Sequence, residues 1–153
     1  MSRLLILARH AEASGGRPDI DRPLTPRGLD DASLMAMRLT TEVTAPQLLL
    51  ASPAARAWAT AQIYGKAFDL TPHPESRIYE ASLTTLLYRI DEAFESHHSV
   101  MIVGHNPALS EAVAYFDVTF RETLPPAGVA ILELDKPIQA GGGRCVATLY
   151  PEE

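Results

Sequence analysis

One cysteine, Cys145, stands in a chain of 153 residues. An intramolecular disulfide is therefore excluded, and a reducing, cytoplasmic setting is expected. Long apolar runs are lacking too. The opening run, Leu4 to Ala8, is too short for a signal-peptide core or a membrane span, so no membrane association is expected. Cations are few, with 13 Lys and Arg against 19 Asp and Glu and a formal net charge of −6. That balance argues against a general nucleic-acid binder, which needs a basic face, but leaves room for a small basic pocket. There is no glycine-rich phosphate loop, and no pair of His, Asp or Glu shows ligand spacing such as H-E-x-x-H, so neither a cofactor nor a metal is expected. Repeats, low-complexity tracts and dividing linkers are absent, and "TPHPES" (71–76) reads as a loop. The chain is read as one domain, 1–153, long enough to bury about 70% of its unfolded surface without a disulfide or metal.

What is present is strand–helix alternation. Leu4–Ala8, Leu48–Ala51 and Val100–Val103 are short continuous apolar runs, the pattern of strands buried on both faces of a parallel sheet. Helical spacing predicts helices over 26–43, 53–68, 81–97 and 107–116. The last third turns β-rich, with Gly128–Leu134 and Arg144–Tyr150 joined by "DKPIQAGGG" as a hairpin. The expected fold is α/β: a mostly parallel central sheet flanked by helices on both faces, with an antiparallel edge from the C-terminal hairpin.

Ligands of open α/β sheets bind beyond the carboxyl ends of the strands. The first apolar run ends in Arg9-His10, the second in "SPAARA" (52–57), the third in "GHNPAL" (104–109). Ser52-Pro53 and Asn106-Pro107 each read as an N-cap followed by a first helical proline, which turns a strand straight into a helix start where anions are favoured. Arg56 falls near such a start, where a cation is disfavoured by roughly 0.3–1 kcal/mol, and no acid lies within four residues of it. Arg27, near the helix start after Thr25-Pro26, has Asp30 and Asp31 to balance it. His73, His97 and His98 fall in a loop and on a charged helix end and are read as surface or backbone-bonded residues.

Arg9, Arg56, His10 and His105 at neighbouring strand ends combine two fixed cations with two imidazoles. Arginine forks match phosphate oxygens, and a neutral imidazole attacks phosphorus and carries the phosphoryl group covalently. Cysteine chemistry fits worse, since no arginine follows Cys145 closely. An aspartyl nucleophile in "DIDRP" lacks a preceding apolar strand to hold it.

These residues resemble the histidine phosphatase superfamily, the phosphoglycerate mutase-like fold, and most closely its short SixA-type phosphohistidine phosphatases. The resemblance runs through "ILARHAEA", "RPLTPRGLDDA" (22–32), "LASPAARAWATAQI" (50–63), "IYEA" (78–81) and "VGHNPALS" (103–110). It implies His10 as the phosphorylated nucleophile, with Arg9, Arg56 and His105 holding the phosphoryl group and Asn106 a substrate-binding candidate beside them. One departure is Ala11, where the superfamily commonly has glycine; a negative φ would accommodate the methyl. For the general acid the resemblance points to Asp19, with Asp21 next, while larger members use a glutamate whose counterpart is Glu80. It implies a metal-independent phosphatase. With no inserted lid, an open site suits phosphohistidine on a partner protein; a small phosphate ester, or a non-catalytic phosphate-binding module, are the other readings.

Overall fold

The computed structural model describes residues 3–152. Met1, Ser2 and Glu153, part of the expected 1–153 domain, lie outside the described residues. Among the described residues, six strands form one sheet: β1 (Arg3–Arg9), β2 (Leu48–Ala51), β3 (His73–Pro74), β4 (Ser99–Gly104), β5 (Val129–Leu134) and β6 (Gly143–Leu149). The order is β3-β2-β4-β1-β5-β6. The first four strands in that order run parallel, while β5 is antiparallel to β1 and to β6, which makes the hairpin edge. The α/β expectation holds.

The two-residue strand β3 lies inside "TPHPES", read from sequence as a loop. It pairs His73 with Leu50 and Pro74 with Ala51 at the sheet edge. An edge strand is where a proline is tolerated, because its missing N–H faces no neighbour. So short a pairing leaves no hydrophobic pattern to detect.

The described residues also form four α-helices, which cover the sheet: α1 (Pro26–Glu42), α2 (Ala55–Phe68), α3 (Leu83–Phe94) and α4 (Ala108–Phe116). Alternation along β1 divides the core in two. Leu5 and Leu7 join Leu86, Ile90, Leu109 and Val113 of α3 and α4. Ile6 and Ala8 join Met35, Leu39, Ala61 and Tyr64 of α1 and α2. Leu5–Ala8 of β1, Leu49–Ala51 of β2 and Val100–Val103 of β4 are therefore apolar at successive positions because both faces of these central strands are buried. Fully buried aliphatic side chains contribute roughly 1.5–3 kcal/mol each, so the sheet is the rigid part of the molecule. Among the described residues, no helix is long and apolar enough to cross a membrane.

Between β1 and α1 the chain makes a loop closed at its base. Thr25 N–H bonds the Glu12 carbonyl at 3.0 Å, Ser14 N–H bonds the Pro23 carbonyl at 2.9 Å, and Ala13 bridges Leu24. Thr25 caps α1 by accepting from Gly28 N–H at 3.0 Å, and Pro26 opens the helix. Gly28 is required there, since a side chain would run into the Glu12 carbonyl. Arg27 meets Asp31 at 3.5 Å, the balance its spacing suggested. A 3₁₀ turn at Asp19–Asp21 forms the far end of this loop.

The two strand-to-helix turns differ from the expected caps. Helix α2 begins two residues later than Pro53, after an extended Ala54 (ψ 137) and with no side-chain cap. The Ser52 hydroxyl is fully buried and already engaged by Ala54 N–H and by His105, which takes it out of the capping position. At α4, Pro107 itself takes the cap position. Asn106 works from one residue further out: its Oδ1 accepts from Ser110 N–H at 3.1 Å and from the Ser110 hydroxyl at 2.8 Å.

Candidate active site

β1 and β4 are adjacent and in register to their ends, where Arg9 pairs with Gly104. The next residue on each strand is a histidine. The rings of His10 and His105 consequently lie 5.2 Å apart, tilted by 55°. Backbone bonds fasten this tip: His10 N–H to the Gly104 carbonyl at 3.0 Å, Arg9 N–H to Gly128 at 2.9 Å, and Ala127 N–H to the His10 carbonyl at 3.0 Å. Ala11 is fully buried, and its N–H donates to Thr60 Oγ1 at 3.1 Å. The described non-glycine residues with positive φ are Asp69, Glu80 and Ala127; Ala11 is not one of them, so its methyl costs no backbone strain.

His10 Nδ1 lies 2.7 Å from the Ala11 carbonyl. A carbonyl only accepts, so Nδ1 carries the proton and Nε2 keeps a bare lone pair. Burial, against the opposing Ala11 bond, and the guanidinium groups of Arg56, Arg9 and Arg22 push the His10 pKa down to about 4. The imidazole is neutral at pH 7. His105 is pushed down to about 3, again chiefly by burial, then by His10 and Arg56.

Arg9 donates from Nη1 to the Leu124 carbonyl at 3.0 Å, and Asn106 Nδ2 donates to the same oxygen at 2.9 Å. The segment before β5 thus collars the site through one backbone oxygen. Arg9 Nε and His105 Nδ1 are both buried without a hydrogen-bond partner among the described residues. Buried polar groups without partners are ones that a ligand can complete. Beside Asn106 opens a hollow of about 320 Å³, with Pro107, Phe120, Arg121 and Thr123 on its walls.

Arg56, which has no acidic neighbour in sequence, finds one in space. Its Nη2 lies 3.1 Å from Asp19 Oδ2, and its Nη1 donates to the Asp19 carbonyl at 2.9 Å. Asp19 is clasped further by the Tyr79 hydroxyl at 2.7 Å and Arg22 Nη1 at 2.9 Å. These bonds, Tyr79's foremost, then Arg22's and Arg56's, hold the Asp19 carboxyl far below the usual carboxylate range, so it is ionised at neutral pH. Asp21 is exposed on the same turn. Glu80 is exposed with φ 53, in the left-handed region; with Asp19 its carboxylate keeps the Tyr79 phenol protonated.

The structure therefore brings together Arg9, His10, Arg56, His105, Asp19 and Asn106, places Glu80 beside Tyr79, and leaves Asp21 on the rim. Sequence reasoning missed Ser52 as a histidine partner, Tyr79, Arg22 and Thr60. Tyr79 packs edge-on against His105, with ring centroids 5.7 Å apart. Ser52 and Tyr79 lie inside the motif stretches already noted, and Ser52 shares with His105 the position just past a strand end. Cys145, half-buried on β6 and with its thiol pKa raised by burial, is no nucleophile. Among the described residues, no three His, Cys, Asp or Glu side chains converge as a metal site.

The family model of the histidine phosphatase superfamily (branch 1) matches residues 5–97. The chain belongs to that superfamily. An uncharacterized protein of Mycobacterium tuberculosis is 30% identical over 138 residues, spanning 82% of this chain and 86% of the relative. A crystal structure assigned as the phosphohistidine phosphatase SixA of Agrobacterium tumefaciens superposes with a TM-score of 0.85 at 28% identity, covering 99% of this chain and 100% of that one. A protein histidine phosphatase SixA complexed with tungstate gives 0.85 at 23% identity, covering 97% of each chain, a likeness of fold. This histidine phosphatase thus has the phosphoglycerate mutase-like fold, and it is an enzyme of phosphoryl hydrolysis.

Proposed function

We propose that the enzyme hydrolyses phosphohistidine on a partner protein through a phosphorylated His10. The carrying observation is the His10 ring, neutral, with Nδ1–H pinned to Ala11 and Nε2 left bare, its ring centroid 5.2 Å from that of His105. Nε2 attacks phosphorus as the bond from phosphorus to the leaving nitrogen breaks. Arg9, Arg56 and His105 hold the equatorial oxygens, where charge accumulates. Water then attacks phospho-His10, releasing inorganic phosphate and restoring the imidazole.

The state of Asp19 supports this substrate class. In the unliganded site it is an anion, so it donates no proton until it has acquired one. A phosphoryl group that recruits Arg56 takes a partner from Asp19 and adds negative charge nearby, and both raise its proton affinity. Asp19 is then the general acid. A leaving imidazole departs with less help than an alkoxide, so a site whose acid starts ionised suits phosphohistidine better than an alkyl phosphate. The exposed rim formed by Asp19, Ile20 and Asp21 also suits a side chain presented on a protein surface.

The test is single-turnover trapping with a labelled phosphohistidine protein, in parallel with a panel of sugar phosphates and nucleotides, with and without EDTA. We expect an acid-labile, base-stable label on His10, and kcat/KM highest for the phosphohistidine protein. Higher kcat/KM for a metabolite transfers the same chemistry to small esters. Absence of turnover with every donor reduces the site to a phosphate-binding module.

A further inference from the structure

We propose that Ser52 is a positioning residue that fixes the tautomer of His105, holding the ring in the form protonated at Nδ1. The effect on catalysis rests on the reading of His105 as a phosphoryl ligand; the tautomer itself does not.

Ser52 follows β2, where its N–H bonds the Val103 carbonyl at 3.1 Å and its side chain is fully buried. Oγ accepts from Ala54 N–H at 3.2 Å and lies 2.8 Å from His105 Nε2. A hydroxyl has one proton and two acceptor lone pairs. Among the described contacts of Oγ, Nε2 is the one group able to accept that proton. If Nε2 instead carried a hydrogen and donated, the buried hydroxyl proton and the Nδ1 lone pair would both go unpaired, whereas the form protonated at Nδ1 leaves a single group, the Nδ1–H, for a ligand to complete. Ser52 therefore donates, Nε2 accepts, and the His105 proton sits on Nδ1, the buried nitrogen with no partner among the described residues.

The two site histidines then share one tautomer and use it in opposite senses. In His10 the Nδ1 proton is spent on the Ala11 carbonyl and the lone pair is free, as a nucleophile needs. In His105 the lone pair is spent on Ser52 and the proton is free, as a ligand to phosphoryl oxygen needs. The alternative tautomer of His105 would set a lone pair against an anion. Because the ring is neutral, its partner decides which nitrogen is the donor.

Long-range ¹⁵N–¹H spectra of histidine-labelled protein at pH 7 test this directly, with His105 assigned by loss of its signals in His105→Gln. Wild type is expected to show His105 protonated at Nδ1 alone. In Ser52→Ala a population protonated at Nε2 appears while the His10 pattern stays unchanged, which also reports an intact fold. KM for an aryl phosphate rises and kcat/KM falls about tenfold, the scale of one buried hydrogen bond. Ser52→Thr, which keeps the hydroxyl, restores the tautomer. An Nε2-protonated His105 in wild type overturns the proposal, whether or not any variant folds, and so does an unchanged His105 pattern in folded Ser52→Ala. If wild type hydrolyses none of the donors, the functional reading fails while the spectra still decide the tautomer.

Discussion

His10 and His105 stand at the ends of β1 and β4, held by a ladder that runs unbroken to Arg9 and Gly104. Asp19 and Tyr79, in contrast, sit outside the sheet, on the loop between β1 and α1 and on the approach to α3. The strand-borne groups are desolvated, neutral and bonded to backbone or to a buried hydroxyl. The loop-borne groups are more exposed, and they are held by charge: Asp19 is clasped by two arginines and a phenol. On the proposed mechanism, the groups that must be placed to within tenths of an ångström ride on the sheet, and the group that must change protonation state during turnover rides on a loop. Arg56 joins the halves, since it belongs to the buried helix α2 and yet spends both terminal nitrogens on Asp19.

The comparison breaks most completely at His10. His10→Ala removes the covalent route, and we expect kcat to fall by about 10⁴-fold or more, with no labelled enzyme trapped. Residual turnover within a hundredfold of wild type would mean that water attacks the substrate directly. The loop half is predicted to behave differently. Asp19→Asn is expected to cost an alkyl phosphate about 10²-fold in kcat, the usual scale of general acid catalysis, and a phosphohistidine protein only a few-fold. Inorganic phosphate should meanwhile inhibit the variant more strongly, because a carboxylate no longer competes for Arg56. Equal losses on both substrates would make Asp19 a structural clasp instead of an acid.

The same division explains what could be read from the sequence. Arg9-His10, Arg56 and His105 were legible because short apolar runs announce buried strands, and whatever follows them lies at one edge of the sheet. Even Arg56 stood out by lacking a local partner, though that partner, 37 positions away, could not be identified. Asp19 entered only through family resemblance, since nothing in "DIDRP" says where a loop folds back. Ser52 was misread as a cap because its sequence context, a small polar residue before proline, is the same whether the hydroxyl serves a helix or an imidazole. Tyr79 and β3 left no periodic signal at all, being a lone aromatic and a two-residue pairing.

Half-buried neutral histidines also make the strand half sensitive to acid. The folded pKa values, about 4 for His10 and about 3 for His105, lie below the ordinary 6.5 of the unfolded chain. Between those values the unfolded state binds more protons, so stability is full above pH 6.5 and is lost as pH falls toward 4 and 3. At pH 5 each histidine should cost about 2 kcal/mol, visible as a lower urea midpoint than at pH 7.5. His105→Gln should flatten that slope, and an unchanged slope in this variant would show that its ring is not protected from protonation. If His10 is the nucleophile, as proposed, catalysis by the folded enzyme should keep its His10 limb near pH 4, since that ring stays neutral well below 6.5.

The smallest effect is expected at Tyr79, and it separates placement from proton affinity within the loop half. Its hydroxyl is the foremost influence holding Asp19 ionised, while its ring packs against His105. Tyr79→Phe keeps the ring and removes the hydroxyl, so Asp19 gains protons more readily. For an alkyl phosphate, the falling limb of kcat should move to higher pH, with a gain of about threefold at mildly acidic pH. For phosphohistidine the rate should scarcely change, because the leaving imidazole makes less demand on the acid. A loss on both substrates, with no movement of the limb, would show that the Tyr79–Asp19 bond fixes the loop's position and leaves its proton untouched.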